Sequence, residues 1–306
     1  MKVLRWILII GAAAFLALSI RTFLFETIRV ASASMSENQP VGNRILIEKW
    51  TLGARLPLTI GPSGAYAVLS KQVRRTKGFG HIQRNDILAF NQPDSTQLLD
   101  RAPVLVSRCI GLPGEALRME ENRLYINGKY TLLPTDRTSC YSFPLLNFEE
   151  VQRLLRKNRV MGKIYQKADT GYVYLTKMEW LRLYREIDYA ETGIKARPSG
   201  YDRLWIRIPQ KGTVIALNDS TFTLYGQLIN RYEGTRLRRD TSGVFRSNGK
   251  IVRKYRFKGN YYLLLNDHQG FLNDSRTLGL IPEERVIGRA FLVLFSPKEK
   301  RFMQHL

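Results

Sequence analysis

Cysteine is nearly absent from this 306-residue chain, which holds only Cys109 and Cys140. Two thiols supply neither a disulfide framework nor a four-cysteine zinc site, and the sequence leaves open whether they meet. Acidic residues are also short. Asp+Glu number 26 against 48 Lys+Arg, a net charge of +22, which favours contact with phosphates of nucleic acid or of anionic lipid headgroups. The cations fall in separate clusters, Lys71 to Arg84, Arg236 to Arg239 and Lys250 to Lys258. The single basic helix or stacking motif of a nucleic-acid module is missing, so nucleic acid is disfavoured as a partner. There is no low-complexity tract, and 44% hydrophobic content is enough to build a core in one large or two modest domains.

One long apolar run is present. Trp6 to Ile20 carries no charge and is bracketed by Lys2 and Arg5 on one side and Arg21 on the other. It is shorter than the ~20 residues a bilayer asks for, but Arg21 can snorkel and Phe23, Leu24 and Phe25 can extend the apolar length to the interface. A membrane anchor over residues 6–25 is the expectation. Ala31-Ser32-Ala33 offers a small-x-small site that would suit a cleaved leader, yet twelve residues, Arg21, Glu26 and Arg29 among them, separate Ile20 from Ala33, longer than a usual cleavage region. A buried amphipathic helix is disfavoured because Trp6 to Leu18 has no polar stripe. Flanking charge does not fix orientation, since Lys2 and Arg5 are matched by Arg21 and Arg29.

Past the anchor, short apolar segments separated by turn signals predict a mainly β body. Arg44 to Glu48, Asp86 to Phe90 and Val104 to Ile110 are the clearest strands, and Leu204 to Ile208 alternates like another. Asn127-Gly128 and Asn248-Gly249 predict hairpins, because both residue types tolerate the positive φ of a type I′ turn. Between them, Asn147 with Glu150 and Thr176 with Glu179 read as capping boxes opening two short helices. Pro198-Ser199-Gly200 reads as a linker.

A serine hydroxyl attacks a carbonyl well only when one group accepts its proton and another stabilises the oxyanion. Ser34, followed by Met35, is a candidate nucleophile whose meaning comes from context. Arg21 to Glu26, Ser32-Ala33-Ser34-Met35 and Val41 to Lys49 resemble, in order, the membrane-exit and nucleophile segment of bacterial type I signal peptidases. Gly78-Phe79-Gly80, Arg84 to Ile87, Arg108 to Glu115 and Leu124 to Lys129 continue the resemblance. Asn273 to Arg276, Gly279, Pro282 to Glu284, Val286 and Gly288 to Ala290 resemble the closing family motif. Each piece is weak and the ordered set is specific. The region from Thr131 to Pro198 lies outside the resemblance.

The resemblance implies a membrane-anchored serine endopeptidase, with a Ser-Lys dyad, that cuts signal peptides from secreted proteins outside the cytoplasmic membrane. Ser34 matches the nucleophile, and Ser32 matches the serine whose hydroxyl completes the oxyanion hole. The lysine base is missing: Ser107 occupies its position, and a hydroxyl lacks the basicity the step requires. Leu272 stands where the family has a serine that orients the lysine, and Asn266-Asp267-His268 replaces Gly-Asp-Asn. Ser36 to Pro40 also departs from the family turn. His268 is the candidate substitute base because imidazole titrates near neutrality. Lys49 and His81 are weaker candidates, each with an ordinary solvated reading. Asp274 and Arg276 match family residues that hold the catalytic loop together, with a structural ion pair expected of them in which Arg108 is a further candidate member.

The expected fold is mainly β with an N-terminal transmembrane helix, a signal-peptidase-like β catalytic domain and an inserted second α+β domain. The catalytic-type domain is drawn from residues 26–115 and 260–298, the insertion from 116–259. The expected function is signal-peptide removal at the bacterial cytoplasmic (inner) membrane, single-pass, with the bulk of the chain extracytoplasmic, and with turnover put in question by Ser107. The alternative is an inactive relative that binds signal peptides or a secretion partner. Signal peptides and membrane lipid are the expected partners; no cofactor or metal is called for. Ser107→Lys, alone or with Leu272→Ser, is expected to raise the rate.

Overall fold

The computed structural model describes residues 2–29, 35, 42–62, 65–70, 72–93, 95–120, 123–134, 137–160, 162, 164–197, 204–270, 272–296 and 301–305. An α-helix, Lys2–Ser19, runs into a π-helical turn, Ile20–Leu24, and the first strand begins at Phe25. Arg5–Leu24 has a mean hydropathy of 2.2, and its length and composition suffice to cross a membrane. Trp6 (65% exposed) and Phe15 (73% exposed) are left uncovered by the rest of the chain. Such an all-round apolar helix suits a hydrocarbon environment.

Strands from both ends of the chain build one antiparallel sheet. In spatial order they are Phe25–Arg29, Arg44–Glu48, Val286–Ser296, Ile87–Asn91, Val104–Gly111, Tyr261–Leu265 and Ile281–Pro282, with Arg301–His305 also paired to Val286–Ser296. The Ile87–Asn91 strand is buried along its whole length, because successive side chains point to opposite faces and both faces are covered. Ile87 and Ala89 join Ile28, Ile45, Val106 and Met35 on one side. Leu88 and Phe90 join Cys109, Tyr262 and Leu264 on the other. Fully burying each large apolar side chain is worth about 1.5–3 kcal/mol.

Between Gly111 and Tyr261 the chain leaves this sheet and returns to it. Gly111 pairs with Leu263, and a methyl group there would run into the side chains of Ile208 and Leu117. Glycine lets the strand pass without displacing those two buried side chains. Ala116–Glu120, Arg123–Ile126, Lys129–Thr131 and Leu204–Arg207 form a four-stranded sheet. Its core is shared with the helix Asp219–Tyr232 through Tyr225 and Ile229, and with Tyr261, Leu263 and Leu265 of the main sheet. A second four-stranded sheet, Ile164–Lys167, Thr170–Thr176, Thr138–Pro144 and Lys195–Ala196, has its own core. The helices Phe148–Lys157 and Lys177–Tyr184 contribute Val151, Leu154, Leu155 and Leu183 to it.

Both Asn-Gly turns take the positive φ expected of them, at 49° and 81° for Asn127 and Gly128 and 50° and 80° for Asn248 and Gly249. The Thr176–Glu179 capping box is present. The one at Asn147 is not. Its side chain makes no cap bond, and Glu150 pairs instead with Arg153 at 2.8 Å. The helix Phe148–Lys157 forms nonetheless, on the helical spacing of its buried residues. The sequence reading missed Asp219–Tyr232, which Asn218 and Thr221 open with a reciprocal cap. The proposed linker Pro198-Ser199-Gly200 lies outside the described residues. Cys109 and Cys140 are both free and buried, and burial raises both thiols above their ordinary range.

Candidate active site

Ser34 and Ser32 lie outside the described residues, as do Ser36 to Pro40. Met35 is described and is 2% exposed, in the core formed by Ile28, Ile45, Ile47, Ile87 and Val106. The strand that carries the lysine position in the resemblance is Val104–Gly111, with Ser107 paired across from Leu88. Ser107 is fully buried. Its hydroxyl donates to Asn266 Oδ1 at 2.7 Å, and Asn266 is itself fully buried. The side chain facing Ser107 is therefore a neutral amide oxygen, far too weak a base to hold a proton at neutral pH.

The next residue organises the neighbouring loop. Arg108 binds Asp267 in bidentate fashion, Nε to Oδ1 at 2.8 Å and Nη2 to Oδ2 at 2.6 Å. Arg108 thus takes Asp267, while the ion pair expected of Asp274 and Arg276 is present. Those two pair with each other, Nε to Oδ1 at 3.0 Å and Nη2 to Oδ2 at 2.8 Å. Asp274 Oδ2 also accepts the Asn266 N–H at 2.7 Å, and Arg276 Nη1 reaches the Gln269 carbonyl at 2.6 Å. Both ion pairs are shielded from water. Their fork geometry satisfies two charges at once, and removing either member of such a pair strands the other at a cost of about 3–5 kcal/mol.

Asn266 to Gln269 thus links three parts of the molecule. Thr138 N–H donates to the Asp267 carbonyl at 2.9 Å, and Cys140 N–H to Gln269 Oε1 at 2.6 Å. His268 is 3% exposed. Its ring lies 4.4 Å from that of Tyr174, and its Nδ1 accepts the Gly270 N–H at 3.1 Å. An Nδ1 that accepts puts the proton of the neutral ring on Nε2. Burial, then the neighbouring Cys140, pushes the Tyr174 hydroxyl up to about 12.

The remaining candidates sit elsewhere. His81 is exposed. Lys49 is not the solvated lysine the sequence suggested: it is 8% exposed, and its Nζ binds Glu26 Oε2 at 2.8 Å and the Arg21 carbonyl at 3.0 Å. It ties the end of the apolar helix to the sheet. Leu272 is 53% exposed. The sequence reading missed Asn266 as the partner of Ser107; the only signal was that both positions depart from the family pattern together.

The sequence pattern of the family described as signal peptidase, peptidase S26, matches residues 3–164. The chain belongs to the signal peptidase S26 family. It is 33% identical to the signal peptidase I of Pseudomonas fluorescens over 171 residues, covering 53% of this chain and 54% of that one. It is 34% identical over 116 residues to that of Pseudomonas aeruginosa, covering 38% and 34%. A signal peptidase I from Buchnera aphidicola aligns over 296 residues at 23% identity, covering 94% of this chain and 73% of its own. The chain thus spans about half, or less, of the two Pseudomonas relatives. Within the S26 family match fall the apolar helix, Ser34, Ser107 and Arg108; Asn266, Asp274 and Arg276 fall beyond it.

Proposed function

We propose that this chain is a membrane-tethered signal peptidase by descent, which keeps the nucleophile Ser34 and the oxyanion serine Ser32 but has lost its general base. The burial of Ser107 against Asn266 carries this reading. In an acyl-transfer dyad the base must be a neutral amine beside the attacking hydroxyl, and a buried Ser-Asn hydrogen bond supplies none. Losing the base costs a serine protease about 10⁴- to 10⁶-fold in turnover. His268 remains the candidate substitute, although its acceptor nitrogen is engaged by Gly270. Arg108, Asp274 and Arg276 act as scaffold.

In this reading residues 6–25 anchor the chain in the bacterial inner membrane, and the bulk lies on the extracytoplasmic side. Residues 26–115 and 260–298 form the catalytic-type domain, with 116–259 inserted; the direct pairing of Val104–Gly111 with Tyr261–Leu265 supports that division. The substrates are the signal peptides of secreted proteins, laid as an extended strand near the lipid surface. The second reading is a relative that binds such peptides, or a secretion partner, without cutting. The same Ser107–Asn266 bond favours it.

Preprotein cleavage by the wild type, Ser34→Ala and His268→Ala separates these readings. Slow turnover abolished by Ser34→Ala supports the impaired peptidase, and no turnover with retained peptide binding supports the second reading. Turnover that falls with His268→Ala identifies the imidazole as base. Fast, Ser34-dependent turnover indifferent to His268 would contradict the loss of the base.

A further inference from the structure

A cavity of about 210 Å³ opens between the two four-stranded sheets, beside the loop that holds Asn266. Leu124, Leu132, Leu133 and Trp180 form its apolar walls, and Gln269 lines it next to the site. Thr138 lines it too. This residue is 5% exposed, and its Oγ1 has no hydrogen-bond partner among the described residues. A buried hydroxyl without a partner costs about 1–3 kcal/mol and asks for an explanation. Arg137 and Lys177 add positive charge to the lining. The adjacent strand Lys129–Thr131 is the last of its sheet, so its outer backbone groups face no strand among the described residues.

We propose that this cavity is a second peptide-binding site, which takes an extended segment carrying an apolar side chain flanked by carboxylates. The apolar side chain fills the space between Leu132 and Trp180. A peptide carbonyl accepts from the Thr138 hydroxyl, and the carboxylates meet Lys177 and Arg137. The segment adds to the free edge at Lys129–Thr131, where backbone bonds supply affinity and the cavity supplies selectivity. Thr138 donates its backbone N–H to Asp267, so occupancy bears directly on the loop that partners Ser107. The site rests on and deepens the peptide-holding reading above, taking a further stretch of the same polypeptide.

The test uses the full chain in lipid nanodiscs, with the Ser34→Ala change to silence any cleavage. The probe is a short fluorescein-labelled peptide alternating glutamate with leucine and phenylalanine, and its counterpart carries lysine for glutamate. Anisotropy is expected to show saturable binding of the acidic probe, weakened by salt, and little binding of the basic one. Leu132→Ser and Lys177→Gln alter exposed side chains and leave the fold intact. Each, like the near-isosteric Thr138→Val, is expected to weaken binding by about tenfold. Absence of saturable binding, or equal binding by all three variants, overturns the proposal. So does a Thr138→Val protein that melts higher while no probe binds, the signature of a cavity that holds water only. Because cleavage is silenced, failure here is separate from failure of the peptidase reading, which preprotein turnover measures.

Discussion

Ser107 and Asn266 exchange a hydrogen bond at full burial, which changes what a single reversion can do. Ser107→Lys alone would push a long side chain and an ammonium into space now filled by the Asn266 amide. An unpaired buried charge of that kind is strongly destabilising. The single variant is therefore expected to melt below the wild type and to gain little activity. Ser107→Lys with Asn266→Gly is expected to recover stability and raise preprotein cleavage, because glycine at 266 vacates the volume the lysine stem needs. Thermal melts of the two variants side by side check this, and equal melting would contradict it. Asp267→Asn removes the carboxylate charge from the Arg108 fork and is expected to cost about 3–5 kcal/mol in denaturant unfolding. At this scale the Asp274–Arg276 ion pair was legible in the sequence, whereas the partners of Arg108 and Lys49 were not. Arg108 belongs with Asp267 and Lys49 with Glu26, because partner choice is decided by which strands lie side by side.

The helices separate what local chemistry shows from what only packing decides. Thr176 and Glu179 form the reciprocal cap that their spacing announces, and Thr176→Ala is expected to cost about 1 kcal/mol. Asn147 carries the same signature without the bond, so Asn147→Ala is expected to change stability by less than about 0.5 kcal/mol. Urea unfolding of the two variants makes the comparison, and equal losses would contradict it. The strands around Ile45, Leu88 and Val106 were legible because turns bound short apolar runs, and the Asn-Gly turns because their backbone demand is local. The helix Asp219–Tyr232 was hidden by its mixed composition. Its buried face, Tyr225, Gly226 and Ile229, is completed by Leu237, Phe245 and Phe257, which are distant in sequence or on other elements.

The whole molecule joins an uncovered apolar helix to a sheet assembled from both ends of the chain. Family likeness, more than periodicity, suggested that architecture, since pairing between Gly111 and Leu263 leaves no local trace. Burial also sets a limit of pH stability. Burial pushes the hydroxyls of Tyr174 and Tyr255 up to about 12 and raises those of Tyr261 and Tyr262 as well. A raised folded-state value contributes stability that is complete below the unfolded value of about 10 and is lost as pH rises above it. Unfolding free energy is accordingly expected to be insensitive to these groups at neutral pH and to fall between about pH 10 and 12. Tyrosinate absorbance should rise together with the loss of structure; tyrosinate formation in the intact fold near pH 10 would contradict the account.

The proposed loss of the general base is tested most directly by the single-turnover cleavage rate of a preprotein in lipid. Wild type is compared with Ser107→Lys/Asn266→Gly, and Ser34→Ala serves as the blank. The account predicts a wild-type rate at or slightly above the blank and a clearly faster double variant. A fast wild-type rate that disappears in Ser34→Ala, and that the double variant does not improve, would contradict it.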